Sequence, residues 1–247
     1  MSRTISLCLC LGLILCSCAV SKKPEPAGPL LEGKNYDFYF TQGASFLTDG
    51  DYDKAIENFS KALSLNSKSA RALNLRGIAY FHQKNYRTAE EQFKQALALD
   101  ASYAEAINNL GSTYFASRQL EKARDMFEKA LALSPDSISA HYSLGTLLLL
   151  LGEAEEGTRH LARGVELDPT FLDTHRALIV DVPSPEANMG EIYFTYAKIY
   201  AQTGNVEKTL EYLTKAQRAG FHDWQRIRAD KEFEAVREDP RIQEFLR

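Results

Sequence analysis

The sequence predicts an all-α solenoid built from helical hairpins of equal length, and two observations carry that prediction. Glycines recur every 34 residues, at Gly43, Gly77, Gly111 and Gly145. Other positions keep the same step: Ala55, Ala89, Ala123 and Gly157; Phe59, Phe93, Phe127 and Leu161; Ala62, Ala96, Ala130 and Gly164. A fixed period of roughly 20–50 residues marks a stacked-repeat architecture, in which each unit buries its apolar face on the next. A glycine inside a helix costs about 1 kcal/mol relative to alanine. Four at one phase therefore require an offsetting contact, and close approach of two helices is the simplest.

Four repeats follow in register, over residues 36–69, 70–103, 104–137 and 138–171. The third is the most regular, with Leu110, Gly111, Tyr114, Ala123, Phe127, Ala130 and Pro135; the first has Tyr39, Gly43, Phe46, Ala55, Phe59 and Ala62. On these residues the chain resembles the tetratricopeptide repeat (TPR) family. The resemblance implies a right-handed superhelix of about five helix–turn–helix repeats with a C-terminal helical cap. It also implies that the helix A glycine lies against helix B, where Ala55, Ala89, Ala123 and Gly157 are the matching small residues. Two departures stand out. Arg76 occupies a place where leucine is usual, and Gly157 with Gly164 replace alanine, so helix B of repeat 4 is expected to be the looser one.

The turns agree with this parsing. Gly50 and Gly152 suit a left-handed residue closing helix A, and Asn85 tolerates that conformation. Asp51, Asn85, Gln119 and Glu153 then open helix B with an acceptor or a negative charge near its free amides. Residues 172–189 break the register by 18 residues, and Pro183 with Pro185 exclude one continuous helix there. Ser184, Pro185 and Glu186 read as the start of a long helix. A fifth repeat resumes over 190–223, with Tyr193, Ala197, Tyr200, Leu213 and Ala216 in phase. Residues 224–247 set Phe233, Val236, Ile242, Phe245 and Leu246 among charged neighbours and resemble the end-caps of bacterial TPR proteins. A solenoid must cover the apolar face of its last repeat.

Residues 1–17 read as a signal peptide, with one arginine before an apolar run too short for a convincing membrane span. All four cysteines, Cys8, Cys10, Cys16 and Cys18, lie at this end, so the repeat body forms no disulfide. Leu15-Cys16-Ser17-Cys18 resembles a bacterial lipoprotein processing box, which implies cleavage before Cys18 and lipidation of that residue with acyl chains such as palmitate. Several buried chains of this kind give stable anchoring. Ala19 follows the cysteine where aspartate would imply inner-membrane retention, so the resemblance points to the outer membrane, facing the periplasm. Residues 18–35, proline- and glycine-containing, form a flexible tether. Removing residues 1–17 takes away one arginine and no acid, so the net charge goes from −4 to −5. A nucleic-acid binder needs a basic stripe, which this chain lacks.

Catalytic and metal motifs are absent from the sequence. The five histidines, His82, His141, His160, His175 and His222, have no metal spacing. Asp49, Asp51 and Asp53 fail as a calcium loop, because Lys54 and Ser60 stand where glycine and glutamate are needed. Asp173, His175 and Asp181 share the insertion but have no nucleophile in frame. No enzyme, cofactor or metal is therefore predicted.

What remains is the surface that the resemblance assigns to helix A, a concave groove for a protein or peptide partner. The carried-over lining positions single out Phe40, Arg71, Asn74, Ile78, Phe81, His82, Asn108, Ser112, Phe115, Tyr142 and Leu149. Apolar members would anchor side chains, and Asn74 with Asn108, one repeat apart, would hold the backbone of an extended segment. At least half of the lining is expected to be accessible. A clamp for a terminal carboxylate is not expected, because Phe40 and Ala44 replace two of its polar groups and Glu105 has the wrong charge. The sequence thus reads as a membrane-anchored scaffold, in the manner of a pilotin-like assembly factor or an adaptor for peptidoglycan-processing enzymes. A third reading is a self-associating structural protein that places its own tether in the groove.

Overall fold

A computed structural model of the chain describes residues 35–170 and 189–247. The expected signal peptide, Cys18, the expected tether up to residue 34 and the register break up to residue 188, with Asp173, His175, Asp181 and the helix start expected at Pro185, lie outside the described residues. The described residues form helices and turns with no strand. Four hairpins follow one another: α1 (Tyr36–Thr48) with α2 (Tyr52–Leu65), α3 (Ala70–His82) with α4 (Tyr86–Leu99), α5 (Ala104–Ala116) with α6 (Leu120–Leu133), and α7 (Ile138–Leu150) with α8 (Ala154–Leu167). A fifth pairs α9 (Met189–Gln202) with α10 (Val206–Arg218). The cap is α11 (Gln225–Ala229), a 3-10 turn (Lys231–Phe233) and α12 (Pro240–Phe245). Phe233 therefore sits on a 3-10 turn rather than on a regular helix.

The start of six of the helices follows from a short polar side chain just before it. Asn35, Asp51, Ser69, Asn85, Ser137 and Asn205 each accept a bond from the backbone N–H three residues on. Gln119 and Glu153 make no such bond. Every A–B turn has one left-handed residue at the same phase: Gly50, Lys84, Arg118, Gly152 and Gly204, with φ between 60° and 84°. The next amide then donates back to the preceding helix, as Asp51 N does to Phe46 O at 2.9 Å and Asn85 N to Tyr80 O at 3.0 Å. This closes each helix A in the same way. At the second turn the left-handed residue is thus Lys84, not Asn85. Asn85 is needed as the N-cap of α4, where its φ of −84° lies outside the left-handed region.

The periodic glycines mark the contact within each hairpin, but their partner is the ring of helix B rather than its alanine. A Cβ added at Gly43, Gly77 or Gly111 would come within 2.8, 2.6 or 2.7 Å of the rings of Phe59, Phe93 and Phe127. Those rings are almost wholly buried, and Ala55, Ala89 and Ala123 are fully so. In repeat 4 the expectation of a looser helix B is wrong. Without the side chain of an alanine, α8 closes on the backbone of α7: a Cβ on Gly157 would stand 2.9 Å from Gly145 O and 3.0 Å from Leu149 N. Arg76, in the usual leucine place, is half-buried. Its guanidinium donates to Gln92 Oε1 at 2.9 and 2.6 Å and to Ser60 Oγ at 3.0 Å, and burial lowers its basicity.

Between hairpins, each A helix touches the next: α1 meets α3, α3 meets α5, α5 meets α7 and α7 meets α9. The A helices thus stand side by side as the inner row of the solenoid. At the C-terminal end Phe233, Val236 and Ile242 of the cap bury themselves with Phe194, Phe221 and Ile227.

Candidate functional site

The inner row presents the first turns of α3, α5 and α7. On α3, Asn74 is fully buried and completely answered. Its Nδ2 donates to Glu105 Oε1 at 3.3 Å and lies 3.4 Å from the Tyr103 hydroxyl, while its Oδ1 accepts from Asn109 Nδ2 at 2.9 Å. Burial, with the nearby Glu105 charge second, pushes the Tyr103 phenol up to about 12. One repeat on, the same phase is Asn108, which is 4% exposed. The phases that supply Tyr103, Glu105 and Asn109 to Asn74 are here Ser137, Ser139 and Ser143. The Ser137 and Ser139 hydroxyls lie 3.3 Å apart, and Ser137 Oγ also caps α7. These side chains are too short to replace the first set, and Asn108 Oδ1 has no hydrogen-bond partner among the described residues. An unanswered buried carbonyl oxygen costs about 1–3 kcal/mol.

In the first turn of α3 Arg71 is exposed, its guanidinium carbon 4.9 Å from the centroid of the Phe40 ring. Phe40 and His82 are half-buried, with His82 stacked on Tyr52, and Leu149 is half-buried against the repeat 5 core. The other seven expected contacts, Asn74, Ile78, Phe81, Asn108, Ser112, Phe115 and Tyr142, are buried. Seven of these eleven positions are therefore core, while other carried-over positions of the same helices, Glu105, Ser139, Thr146 and Leu150 among them, stay exposed or half-buried. Ile78, Phe81 and Phe115 pack into the core that joins repeats 1 to 4, because adjacent A helices touch and consume the apolar side chains between them. Tyr142 stacks on Tyr196, centroids 6.2 Å apart, and burial pushes its phenol far up. Tyr196 OH in turn reaches Thr146 Oγ1 at 3.1 Å.

Two contributors escaped the sequence reading, Tyr103 and Tyr196. Tyr103 had a signal: it precedes a helix at the phase where Ser69 and Ser137 are capping residues, yet it cannot cap. Tyr196 had none, because its neighbour Tyr142 lies across the register break.

The histidines are closer than their spacing suggested. His141 Nε2 lies 2.9 Å from Pro135 O, which only accepts, so this nitrogen carries the proton. His141 Nδ1 then accepts from His160 Nδ1 at 3.0 Å. Burial, then the neighbouring His141, lowers the His160 pKa from its ordinary value. Among the described residues no group of three or more His, Cys, Asp or Glu side chains could hold a metal ion.

Paired helices of constant length, a shared inner row and a recurrent glycine–ring contact define a helical-repeat solenoid. Models of the tetratricopeptide repeat match residues 39–102, 68–136, 114–178 and 190–219, together more than half of the chain, and the chain belongs to this family. No curated protein matches it significantly. Among solved structures, the chain is similar to the crystal structure of MamA, with 25% identity over 72% of this chain and 93% of that one and a TM-score of 0.47. It is similar to YrrB, described as a TPR protein with an unusual peptide-binding site, at 22% identity over 80% and 92% with a TM-score of 0.47. A third is the first TPR of Spaghetti (RPAP3) bound to the HSP90 peptide SRMEEVD, at 28% identity over 48% and 94% with a TM-score of 0.45.

Proposed function

We propose that this protein is a lipid-anchored scaffold whose inner face holds an extended segment of a partner protein during assembly of an envelope complex. The observation that carries the binding half is Asn108. Its unanswered Oδ1 lies on the inner row but is closed to solvent, so a peptide N–H reaches it only when the first turns of α5 and α7 part. Arg71 supplies an exposed cation one repeat away, and its stacking on Phe40 holds the guanidinium in place. The anchoring half rests on the lipoprotein-like sequence ending in Cys18, followed by a proline-containing tether. Anchoring through Cys18, rather than through a spanning helix, is consistent with the described residues, where no helix is long and apolar enough to cross a membrane. Outer-membrane attachment facing the periplasm, and a pilotin-like role, are the finer parts of this reading.

One experiment with two variants tests both halves. Peptides selected on the wild-type protein are titrated against Asn108→Ala, and the membrane fraction is compared for Cys18→Ser. We expect Asn108→Ala to weaken the selected peptides roughly tenfold, the value of one buried hydrogen bond, with a melting temperature that does not fall, because the variant also removes the unanswered oxygen. Cys18→Ser should leave the membrane fraction. Unchanged peptide affinity would remove Asn108 from the site, and continued membrane retention would remove the anchor.

A further inference from the structure

Successive joints between repeats use the same phases, so each joint can be compared with the next. At the first joint the Tyr52 ring at the start of α2 lies over His82 at the end of α3, centroids 5.0 Å apart and planes 7° apart. At the second and third joints the same phases hold Tyr86 with Ala116 and Leu120 with Leu150, all packed against the repeat 1–4 core. At the fourth they hold Ala154 and Gln202, and both line a cavity of about 480 Å³ with Leu149, Leu150, Ile192 and Ile199.

Two sequence changes open this space. Ala154 lacks the side chain with which Tyr52, Tyr86 and Leu120 fill the other joints. Ile192 replaces Ala72, Ala106 and Ala140, which are fully buried where each A helix meets the preceding repeat. The floor is apolar, with Ile192 at 4% and Ile199 at 3% exposure. An apolar cavity of roughly 150 Å³ is enough to take a benzene ring. At the rim, Lys198 Nζ is held by Asp230 Oδ2 at 3.1 Å and Thr195 offers a hydroxyl. A lysine over a ring recurs in this chain, as with Lys215 over Tyr212 at 4.4 Å and Lys54 over Phe46 at 5.2 Å.

We propose that the fourth joint is a binding slot for an aromatic side chain of the partner segment, which completes there the packing that Tyr52 completes at the first joint. The slot lies at the repeat 5 end of the inner row. The proposal rests on the peptide-binding reading only in assigning the ring to a peptide. The apolar floor takes the ring face, Lys198 faces its π-system, and a phenolic hydroxyl meets Thr195 or Gln202.

The test is methyl NMR on the full-length chain with N-acetyltyrosinamide and N-acetylleucinamide as probes. The tyrosine probe is expected to shift the Ile192 and Ile199 methyls saturably and to bind several-fold more tightly than the leucine probe. Ala154→Tyr, which supplies the ring internally, should abolish these shifts. Ala154→Leu, the residue type of repeat 3, should weaken them and decides the matter if the tyrosine variant does not fold. The proposal is overturned by an absence of saturable shifts, by equal binding of the two probes, or by unchanged affinity in the alanine variants. Asn108→Ala should leave probe binding intact. Loss of peptide capture in that variant alone concerns the groove, whereas loss of probe binding in the Ala154 variants alone concerns the slot.

Discussion

At the scale of single residues, small side chains decide where this fold can close. Gly111 is the clearest case. Its absent Cβ leaves room for the Phe127 ring, and an added Cβ would also meet Met126 Cβ at 3.0 Å. Because Phe127 is fully buried, it cannot swing aside cheaply. Gly111→Leu should therefore cost about 1–3 kcal/mol through overpacking, read as a lower urea midpoint with an unchanged slope. An unchanged midpoint would mean that the hairpin contact is not where stability resides. The 34-residue period and the glycine phase were legible in the sequence, since a repeated costly residue demands a repeated contact. The identity of that contact was not. Spacing shows that Gly111, Ala123 and Phe127 keep step, but not that the ring rather than the alanine fills the gap. Lys84 and Arg118 were equally illegible as left-handed residues, because neither type announces that conformation and only the shared turn imposes it.

At the scale of elements, the α7–α8 hairpin combines the tightest backbone approach with a titratable contact. His141 and His160 share one hydrogen bond between their Nδ1 atoms. The charged groups acting on His160 are His141 from α7 and Glu156 and Arg159 from its own helix; Glu156 favours the proton while His141 and Arg159 oppose it. The net effect, led by burial, is a lowered pKa in the folded state. The unfolded chain then binds the proton more readily, so stability is complete above the ordinary histidine value of 6.5 and is lost as pH falls through it. His160→Gln should flatten that part of the melting-temperature profile between about pH 7 and 5. A profile that is flat in the wild type, or unchanged in the variant, would dismiss the coupling. His141 and His160 fall in the two helices of repeat 4, but a 19-residue separation does not reveal that the rings converge. The groove was legible in the same partial way. Helical phase gave the inner row, yet it could not show that neighbouring A helices touch and remove Ile78, Phe81 and Phe115 from solvent. The surviving signal is polar, in Asn108 and Arg71.

At the scale of the whole molecule, stability divides between two apolar cores that meet in repeat 4. One runs from Leu47 through Phe59, Phe93 and Phe127 to Leu148; the other runs from Tyr142 and Leu161 through α9 and α10 into the cap. Stacked repeats couple only to their neighbours, so damage to one end should not spread evenly. The cap buries Phe233, Val236 and Ile242 almost completely, each worth about 1.5–3 kcal/mol. It also supplies the Arg226 partner of Glu191 at 2.9 Å and the Asp230 partner of Lys198. A chain ending at residue 223 would uncover the side of Phe194 on which Phe233 and Arg226 pack, with no further repeat to cover it. Repeat 5 should then open while the first core persists. Hydrogen exchange resolved by helix would show α9 and α10 losing protection, α7 and α8 losing part of it, and α3 to α6 retaining theirs. Simultaneous loss of protection in all five hairpins would mean that the two cores unfold as one unit. The slot at the fourth joint would then be a defect within a single cooperative core rather than a site at the boundary between two.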